Sequence, residues 1–196
     1  MVIKGQNRLS DGHPIIEILG RGDFLSLDAR KRFRLPEELS DALRRAYGQA
    51  APHSDLPPDA VNRLPFYFAP GTGKRIFLYP APNIALATSQ FEAPPAGMAP
   101  ALVRKARDYF YGLLRFAEAD RQNRLQLPEP LCRHAAIGDD VDRVCLVCRG
   151  AWFVISKVST EDELMAEREA AFEQCVDELL DAVKPASPGE EEGQPT

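Results

Sequence analysis

Residues 24–39 read FLSLDARKRFRLPEEL, and the same pattern returns in residues 116–131 as FAEADRQNRLQLPEPL. Each copy consists of a short alternating run, a polar segment that begins with aspartate, and a second short run that ends in Leu-Pro. This order is typical of a tight strand–turn–strand unit that leads into a helix. The sequence therefore predicts an α+β protein built from two related, pseudo-symmetric β-hairpin repeats.

Helical periodicity surrounds the two copies. Pro36 suits a helix N-terminus because proline lacks an N–H donor, and Leu39, Leu43 and Tyr47 continue at helical spacing. Residues 101–114 have one apolar face and predict a helix that connects the two halves. The strands expected outside the copies are residues 66–68, 75–79, 143–149 and 151–158.

The sequence divides into five segments. They are an N-terminal extension at 1–17, a first repeat at 18–90 with an insertion at 48–65, a second repeat with its preceding helix at 101–158, a C-terminal helix at 159–184, and a tail at 185–196. The C-terminal helix is predicted from a capping box that begins at Thr160 and from apolar residues at helical spacing. The tail is polar and acidic, so we expect it to be disordered.

The formal net charge of −5 is unevenly distributed. Residues 157–196 contain three cations and twelve anions, and residues 1–156 have an excess of cations. An arginine-rich body could therefore bind a polyanion although the average is acidic. No apolar run is long enough for a membrane span and residues 1–9 lack a signal-peptide core, so we expect a cytoplasmic protein. Four cysteines are too few for a disulfide scaffold, and we expect them to be reduced.

Each copy also contains an aspartate and an arginine four positions apart, Asp28 with Arg32 and Asp120 with Arg124. A carboxylate at the start of a turn can accept backbone N–H bonds. The arginine can then either lie back across the turn or project outwards. The residues alone leave both interpretations open, an internally fastened turn or an outward cationic tip.

With this repeated motif the sequence resembles the MraZ family of bacterial transcriptional regulators and, more distantly, the AbrB-type swapped-hairpin DNA-binding proteins. The family pattern is Asp-x-Lys-Gly-Arg followed by hydrophobic residues and proline, and residues 28–36 and 120–128 are similar to it. Leu78, Tyr79 and Pro80 match the family's Leu-Tyr-Pro segment. The resemblance covers residues 20–156.

The resemblance implies a homo-oligomeric ring of protomers, each with a small β-barrel-like core and two turns that contact double-stranded operator DNA. It implies control of division and cell-wall genes, including the protein's own operon, and association with the nucleoid. The residues assigned to DNA contact are Arg30, Lys31, Arg32, Arg34, Arg121 and Arg124, because arginine can pair bidentately with guanine while other cations neutralise phosphates. The residues assigned to turn shaping are Asp28, Asp120 and Asn123.

Two departures from the family pattern concern the turns. Lys31 and Asn123 stand where the family has glycine. Asparagine tolerates a positive φ and lysine does so poorly, so we expect the first turn to be rearranged. An alternative therefore remains open, an oligomeric scaffold of the same fold that has lost operator recognition.

Nothing in the sequence favours an enzyme, a cofactor, a metal site or a small-molecule substrate. Cys145 and Cys148 have metal-like spacing, but no second pair accompanies them, so we interpret them as core residues. Residues 71–74 lack the pattern of a phosphate-binding loop and predict a simple turn. A catalytic carboxylate pair of Asp28 and Asp120 is disfavoured because neighbouring cations would keep both ionised.

Overall fold

The computed structural model of the protein describes residues 7–8, 14–16, 22–50, 59–94 and 97–158. The predicted C-terminal helix at 159–184 and the acidic tail lie outside the described residues, as does most of the N-terminal extension. Contacts group residues 1–157 into one unit and residues 158–196 into a second, of which the described part is Val158. The description below is of the first unit.

The described part of the chain is α+β, as the sequence predicts. Its strands are β1 (Asn7–Arg8), β2 (Pro14–Ile15), β3 (Asp23–Ser26), β4 (Arg32–Arg34), β5 (Pro65–Pro70), β6 (Ile76–Pro80), β7 (Arg115–Glu118), β8 (Arg124–Gln126), β9 (Arg143–Cys148) and β10 (Phe153–Lys157). Its helices are α1 (Glu37–Ala50), α2 (Ala60–Arg63), α3 (Ile84–Glu92), α4 (Pro100–Leu113) and α5 (Glu129–His134), with a 3-10 turn at Ala81–Asn83. Within these residues, none of the helices is long and apolar enough to cross a membrane.

Six strands form an antiparallel sheet in the order β3-β9-β10-β6-β5-β7, β4 pairs with β8 in a separate two-stranded ribbon, and β1 pairs with β2. Strands β3 and β7, which begin the two copies, pair with β9 and β5 and lie at opposite ends of this order. They do not pair with each other, so the described strands do not close a barrel. The expectation of a barrel-like core is corrected to an open sheet with an added ribbon.

Strand β5 shows how both faces of the sheet are covered. Phe66 and Phe68 are fully buried in the main hydrophobic core, whereas Tyr67 and Ala69 belong to a smaller aromatic cluster. This is the two-residue alternation of a strand, in which successive side chains point to opposite faces. Helix α4 contributes Phe110 to the smaller cluster. The sheet is therefore a middle layer with apolar packing on each side.

Helix α1 packs an apolar stripe into the main core. Leu39, Leu43 and Tyr47 are each at most 3% exposed, at the four-residue spacing that places side chains on one helix face. The predicted helix after the first copy is confirmed. It continues to Ala50 and therefore occupies the beginning of the segment 48–65 that we expected to be an insertion.

The connecting helix is also confirmed, as α4, but its apolar face is only partly covered. Phe110 is buried, whereas Leu102 is 56% exposed and Tyr109 is 54% exposed. Spacing alone indicates which side chains share a helix face. It does not show how much of that face another element covers.

Tyr47 ties α1 to two other elements through its hydroxyl group. The hydroxyl donates a hydrogen bond to the carbonyl oxygen of Pro65 and accepts one from the N–H of Ala81 at 3.0 Å. Burial raises the pKa of Tyr47, so the phenol stays protonated and keeps its donor. One side chain thereby connects α1, the start of β5 and the 3-10 turn.

Replacing Tyr47 with phenylalanine should lower the free energy of unfolding by about 1–3 kcal/mol, because two backbone groups lose their partner. Denaturant unfolding followed by circular dichroism measures this change. The matched control is Tyr111→Phe, a 43% exposed tyrosine, for which we expect a change within about 0.5 kcal/mol. Equal effects of the two substitutions would contradict the role of the Tyr47 hydroxyl.

Candidate nucleic-acid interface

The ribbon of β4 and β8 brings the two copies together. Phe33 lies opposite Leu125 at its centre, and both side chains are at most 1% exposed. Because side chains alternate along a strand, the neighbouring residues point away from the core. We call this outward surface the ribbon face; its residues are Arg32, Arg34, Arg124 and Gln126. Arginines from both copies therefore share one surface.

The ribbon ends in two turns, the first tip (residues 28–32) and the second tip (residues 120–124). In the first tip the N–H of Asp28 donates to Arg32 O at 2.9 Å, and the N–H of Lys31 donates to Asp28 O at 2.8 Å. The second tip has the corresponding bonds at 2.9 and 2.8 Å. Lys31 has a φ of 56° and Asn123 a φ of 58°. The expectation that lysine rearranges the first turn is therefore wrong.

The carboxylate of Asp28 fastens the first tip from inside. Its Oδ1 accepts the backbone N–H groups of Arg30 and Arg32 at 2.9 and 3.0 Å. Its Oδ2 accepts the Nε–H of Arg32 at 2.7 Å and lies 2.6 Å from a terminal guanidinium nitrogen of the same residue. The arginine thus lies back across its own turn in a two-pronged ion pair.

The second tip repeats this arrangement. Asp120 Oδ1 accepts the backbone N–H groups of Gln122 and Arg124, both at 2.9 Å. Its Oδ2 accepts the Nε–H of Arg124 at 2.8 Å and lies 2.7 Å from a terminal guanidinium nitrogen. Of the two interpretations left open by the sequence, the inward one describes Asp28 with Arg32 and Asp120 with Arg124.

These bonds keep both carboxylates ionised. The hydrogen bond from the Arg32 side chain, with those from backbone N–H groups, lowers the pKa of Asp28 to about 2. At Asp120 burial acts to raise the pKa, but the hydrogen bonds from Arg124 and from the backbone outweigh it and the pKa is lowered. Each tip therefore has a permanent negative charge that compensates one arginine.

Lys31 points inward rather than out from the first tip. Its Nζ donates to the carbonyl oxygens of Gly138 and Val141 at 2.7 and 3.1 Å and lies 4.0 Å from a carboxylate oxygen of Asp139. The side chain is only 18% exposed. These acceptors hold the strained turn conformation, as surrounding structure must wherever a non-glycine residue adopts a positive φ. Lys31 is a link between the first tip and the loop at 138–141.

Three of the predicted contact residues remain free on the outside. Arg30, Arg34 and Arg121 are exposed, and their side chains make no hydrogen bond or ion pair with the residues that the structure describes. Arg32 and Arg124 keep side-chain exposures of 26% and 32% beside their aspartates. Of the predicted set, Arg32, Arg34 and Arg124 therefore lie on the ribbon face, and Arg30 and Arg121 lie in the turns at its two ends.

Sequence reasoning missed Arg44 on α1. Its guanidinium donates to the side-chain oxygen of Asn123 at 2.5 Å and to Asp41 at 3.1 Å. The helix after the first copy thus supplies a cation to the tip of the second copy. No local pattern in the sequence indicates that a residue of α1 contacts a turn so distant in the chain.

The other chemically interesting residues have structural environments. Burial raises the pKa of Cys148 to about 11, and Cys145 is buried, so neither is a reactive thiolate. His134 shares a hydrogen bond with the Tyr109 hydroxyl at 2.8 Å and another with the Gly71 carbonyl at 2.9 Å. Within the described ranges, no three His, Cys, Asp or Glu residues form a group that could hold a metal ion.

No family model matches the chain, and a comparison with curated proteins finds no match. The two tips and the ribbon face are therefore the features from which a function can be inferred.

The lowered pKa of Asp28 predicts a specific response to acid. A carboxyl group whose pKa falls on folding stabilises the native state above its unfolded pKa, and this contribution disappears as the pH falls through the folded value. For Asp28 the interval runs from the ordinary value of 3.8 down to about 2. A carboxyl ¹³C NMR titration should give a pKa near 2. A titration midpoint at the ordinary value would contradict the ion pair with Arg32.

Lys31→Ala should destabilise the protein by about 1.5–3 kcal/mol, because hydrogen bonds from a charged group to two carbonyl oxygens are lost. Arg30→Ala, at the neighbouring exposed position, is the matched control, with an expected change within about 0.5 kcal/mol. Denaturant unfolding of both variants measures the difference. An unchanged free energy of unfolding in Lys31→Ala would show that the contacts of Lys31 contribute nothing to stability.

Proposed function

We propose that this chain is a sequence-specific DNA-binding transcriptional regulator of MraZ type. The observation that carries the proposal is the convergence of arginines from both copies on the ribbon face and its tips. Arg30, Arg34 and Arg121 are exposed there, and their guanidinium groups make no hydrogen bond or ion pair with any described residue. Guanidinium groups suit both bidentate pairing with guanine in the major groove and contacts to phosphates.

The paired arginines fit this function as well. Asp28 engages the Nε–H and one terminal nitrogen of Arg32, and Asp120 does the same for Arg124. A guanidinium group has five N–H donors, so donors remain for an external acceptor. The aspartate fixes the plane of the arginine in advance, which reduces the ordering that DNA contact would require. Asp28, Asp120 and Asn123 are turn-shaping residues in this proposal.

The proposal includes two pseudo-symmetric strand–turn–strand repeats, in which β4 and β8 pair between the copies and not within each predicted hairpin. The matched hydrogen bonds of the two tips support it, as does a strand register centred on Phe33 opposite Leu125. It also includes a homo-oligomer, in the form of a ring. One protomer offers few contacts, and several protomers on repeated DNA boxes would gain affinity through avidity.

The proposed biological setting follows from the same resemblance. The targets are genes for division and cell-wall synthesis, together with the protein's own operon. The protein would then act in the cytoplasm, at the nucleoid, without an enzymatic activity, a cofactor or a small-molecule substrate.

Two observations favour the second candidate, a scaffold of this fold without operator recognition. Arg32 and Arg124 are each paired with an aspartate of their own turn. Lys31 is engaged by backbone carbonyl groups. If the three remaining free arginines were only a solvated surface, the protein would have no DNA-contact site in this region.

Electrophoretic mobility shifts over a salt series separate the two candidates. The probe is the duplex upstream of the protein's own gene, and the reference is a shuffled duplex of the same composition. The wild-type protein should prefer the upstream duplex. The triple variant Arg30→Ala, Arg34→Ala, Arg121→Ala should lose about 100-fold or more in affinity, since each base contact contributes about 1–3 kcal/mol.

A triple variant of α4, Arg104→Ala, Lys105→Ala, Arg107→Ala, controls for net charge, because it removes three exposed cations elsewhere. We expect its affinity to stay within about threefold of wild type, the small effect of charges outside the contact surface. Absence of wild-type binding even at low salt would favour the scaffold. Equal losses in both triple variants would indicate non-specific attraction instead of recognition by the tips.

A further inference from the structure

We infer that the two tips are unequal, and that the second tip, with Arg44 as an additional contact residue, is the principal DNA-binding end of each protomer. The inference rests on the proposed function. The two tips share their backbone bonds and their Asp–Arg pairs. Each also has one exposed arginine, Arg30 or Arg121, whose side chain has no partner among the residues described. The difference lies in what surrounds these common parts.

The first difference comes from the register of the ribbon. Arg34 lies opposite Arg124, next to the second tip, whereas Gln126 lies opposite Arg32, next to the first tip. Both Arg34 and Gln126 are exposed. The ribbon face therefore has an additional cation, without an ion pair in the described part of the chain, at the end where the second tip begins.

The second difference comes from the residue with a positive φ in each turn. Asn123 is uncharged, and its side-chain oxygen accepts a hydrogen bond from Arg44 at 2.5 Å. A further cation from α1 is thereby held at the second tip, although Asp41 lies 3.1 Å from it. Lys31, at the corresponding position of the first tip, directs its charge inward to Gly138 and Val141.

The third difference is an acidic loop at the first tip. Lys31 holds residues 138–141 against this tip, and Asp139 is fully exposed 4.0 Å from Lys31 Nζ. Asp140 is 77% exposed and lies 3.5 Å from Lys157. Asp139 is close enough to Lys31 for salt to screen its charge only partly, because the Debye length is about 8 Å at physiological ionic strength. It would repel a DNA phosphate that approaches the first tip.

All three differences have the same direction. The second tip gains two cations, Arg34 opposite Arg124 and Arg44 on Asn123, and the first tip gains the carboxylate of Asp139 next to Lys31. Because phosphate contacts supply much of the affinity of DNA-binding proteins, the second tip should bind more strongly and the first should add weaker contacts.

The test compares the matched single variants Arg121→Ala and Arg30→Ala in the full chain. Fluorescence anisotropy with the labelled upstream duplex gives the affinity at several salt concentrations. We expect Arg121→Ala to weaken binding about tenfold or more and Arg30→Ala only about two- to threefold. Circular dichroism should show both variants folded, since neither side chain has a described contact. Equal losses, or a larger loss for Arg30→Ala, would overturn the inference.

Arg44→Gln tests the assigned contact from α1 with a side chain that can still donate to Asn123. It should weaken binding and reduce the slope of log affinity against log salt by about one phosphate contact. An unchanged slope would remove Arg44 from the contact set and overturn this part of the inference.

The double variant Asp139→Asn, Asp140→Asn tests the acidic loop without truncating it. It should bind the upstream duplex more tightly than wild type, and in this background Arg30→Ala should weaken binding more than it does in the wild-type protein. Unchanged affinity would overturn the proposed effect of the loop. If wild type binds no duplex at all, the proposed function fails together with this inference. Wild-type binding with equivalent tips would overturn the inference alone.

Discussion

The relative positions of the two tips depend on the pairing of β4 with β8. This pairing joins two segments that are distant in the sequence and buries Phe33 against Leu125. Two further backbone bonds extend it, from the N–H of Leu35 to Asn123 O at 2.9 Å and from the N–H of Leu127 to Lys31 O at 3.0 Å. Each turn is thus hydrogen-bonded to the segment that follows the other turn. The tips have a defined separation because this short ribbon has one register.

Local features were predictable from the sequence because they depend on neighbouring residues. An aspartate at the start of a turn can accept backbone N–H groups two and four positions later, and Asp28 and Asp120 both do so. Likewise, the apolar spacing of Leu39 and Leu43 specifies a helix whatever lies opposite. These patterns were sufficient for the positions of the turns, for α1 and for the α+β class, but not for the conformation of the first turn.

Contacts between distant segments were not predictable in this way. The inward direction of Lys31 depends on carbonyl groups at Gly138 and Val141, and the position of Arg44 depends on Asn123. Backbone propensity disfavours a positive φ at Lys31. The carbonyl groups that accept its hydrogen bonds, which are distant in sequence, nevertheless hold it in that conformation. The open edges of the sheet were not predictable either. They depend on β3 and β7 pairing with β9 and β5, which lie outside the two copies.

Strands that precede α3 pair with strands that follow α4, so the two halves of the chain are held together by more than the backbone that connects them. The residues between α3 and α4 join two segments that are already in register through β5 with β7, β6 with β10, and β4 with β8. Cutting the backbone at Gly97, an exposed glycine with a φ of 89°, would leave these pairings intact. Two separately produced fragments should therefore reconstitute the native assembly on mixing, as complementary halves of a split protein.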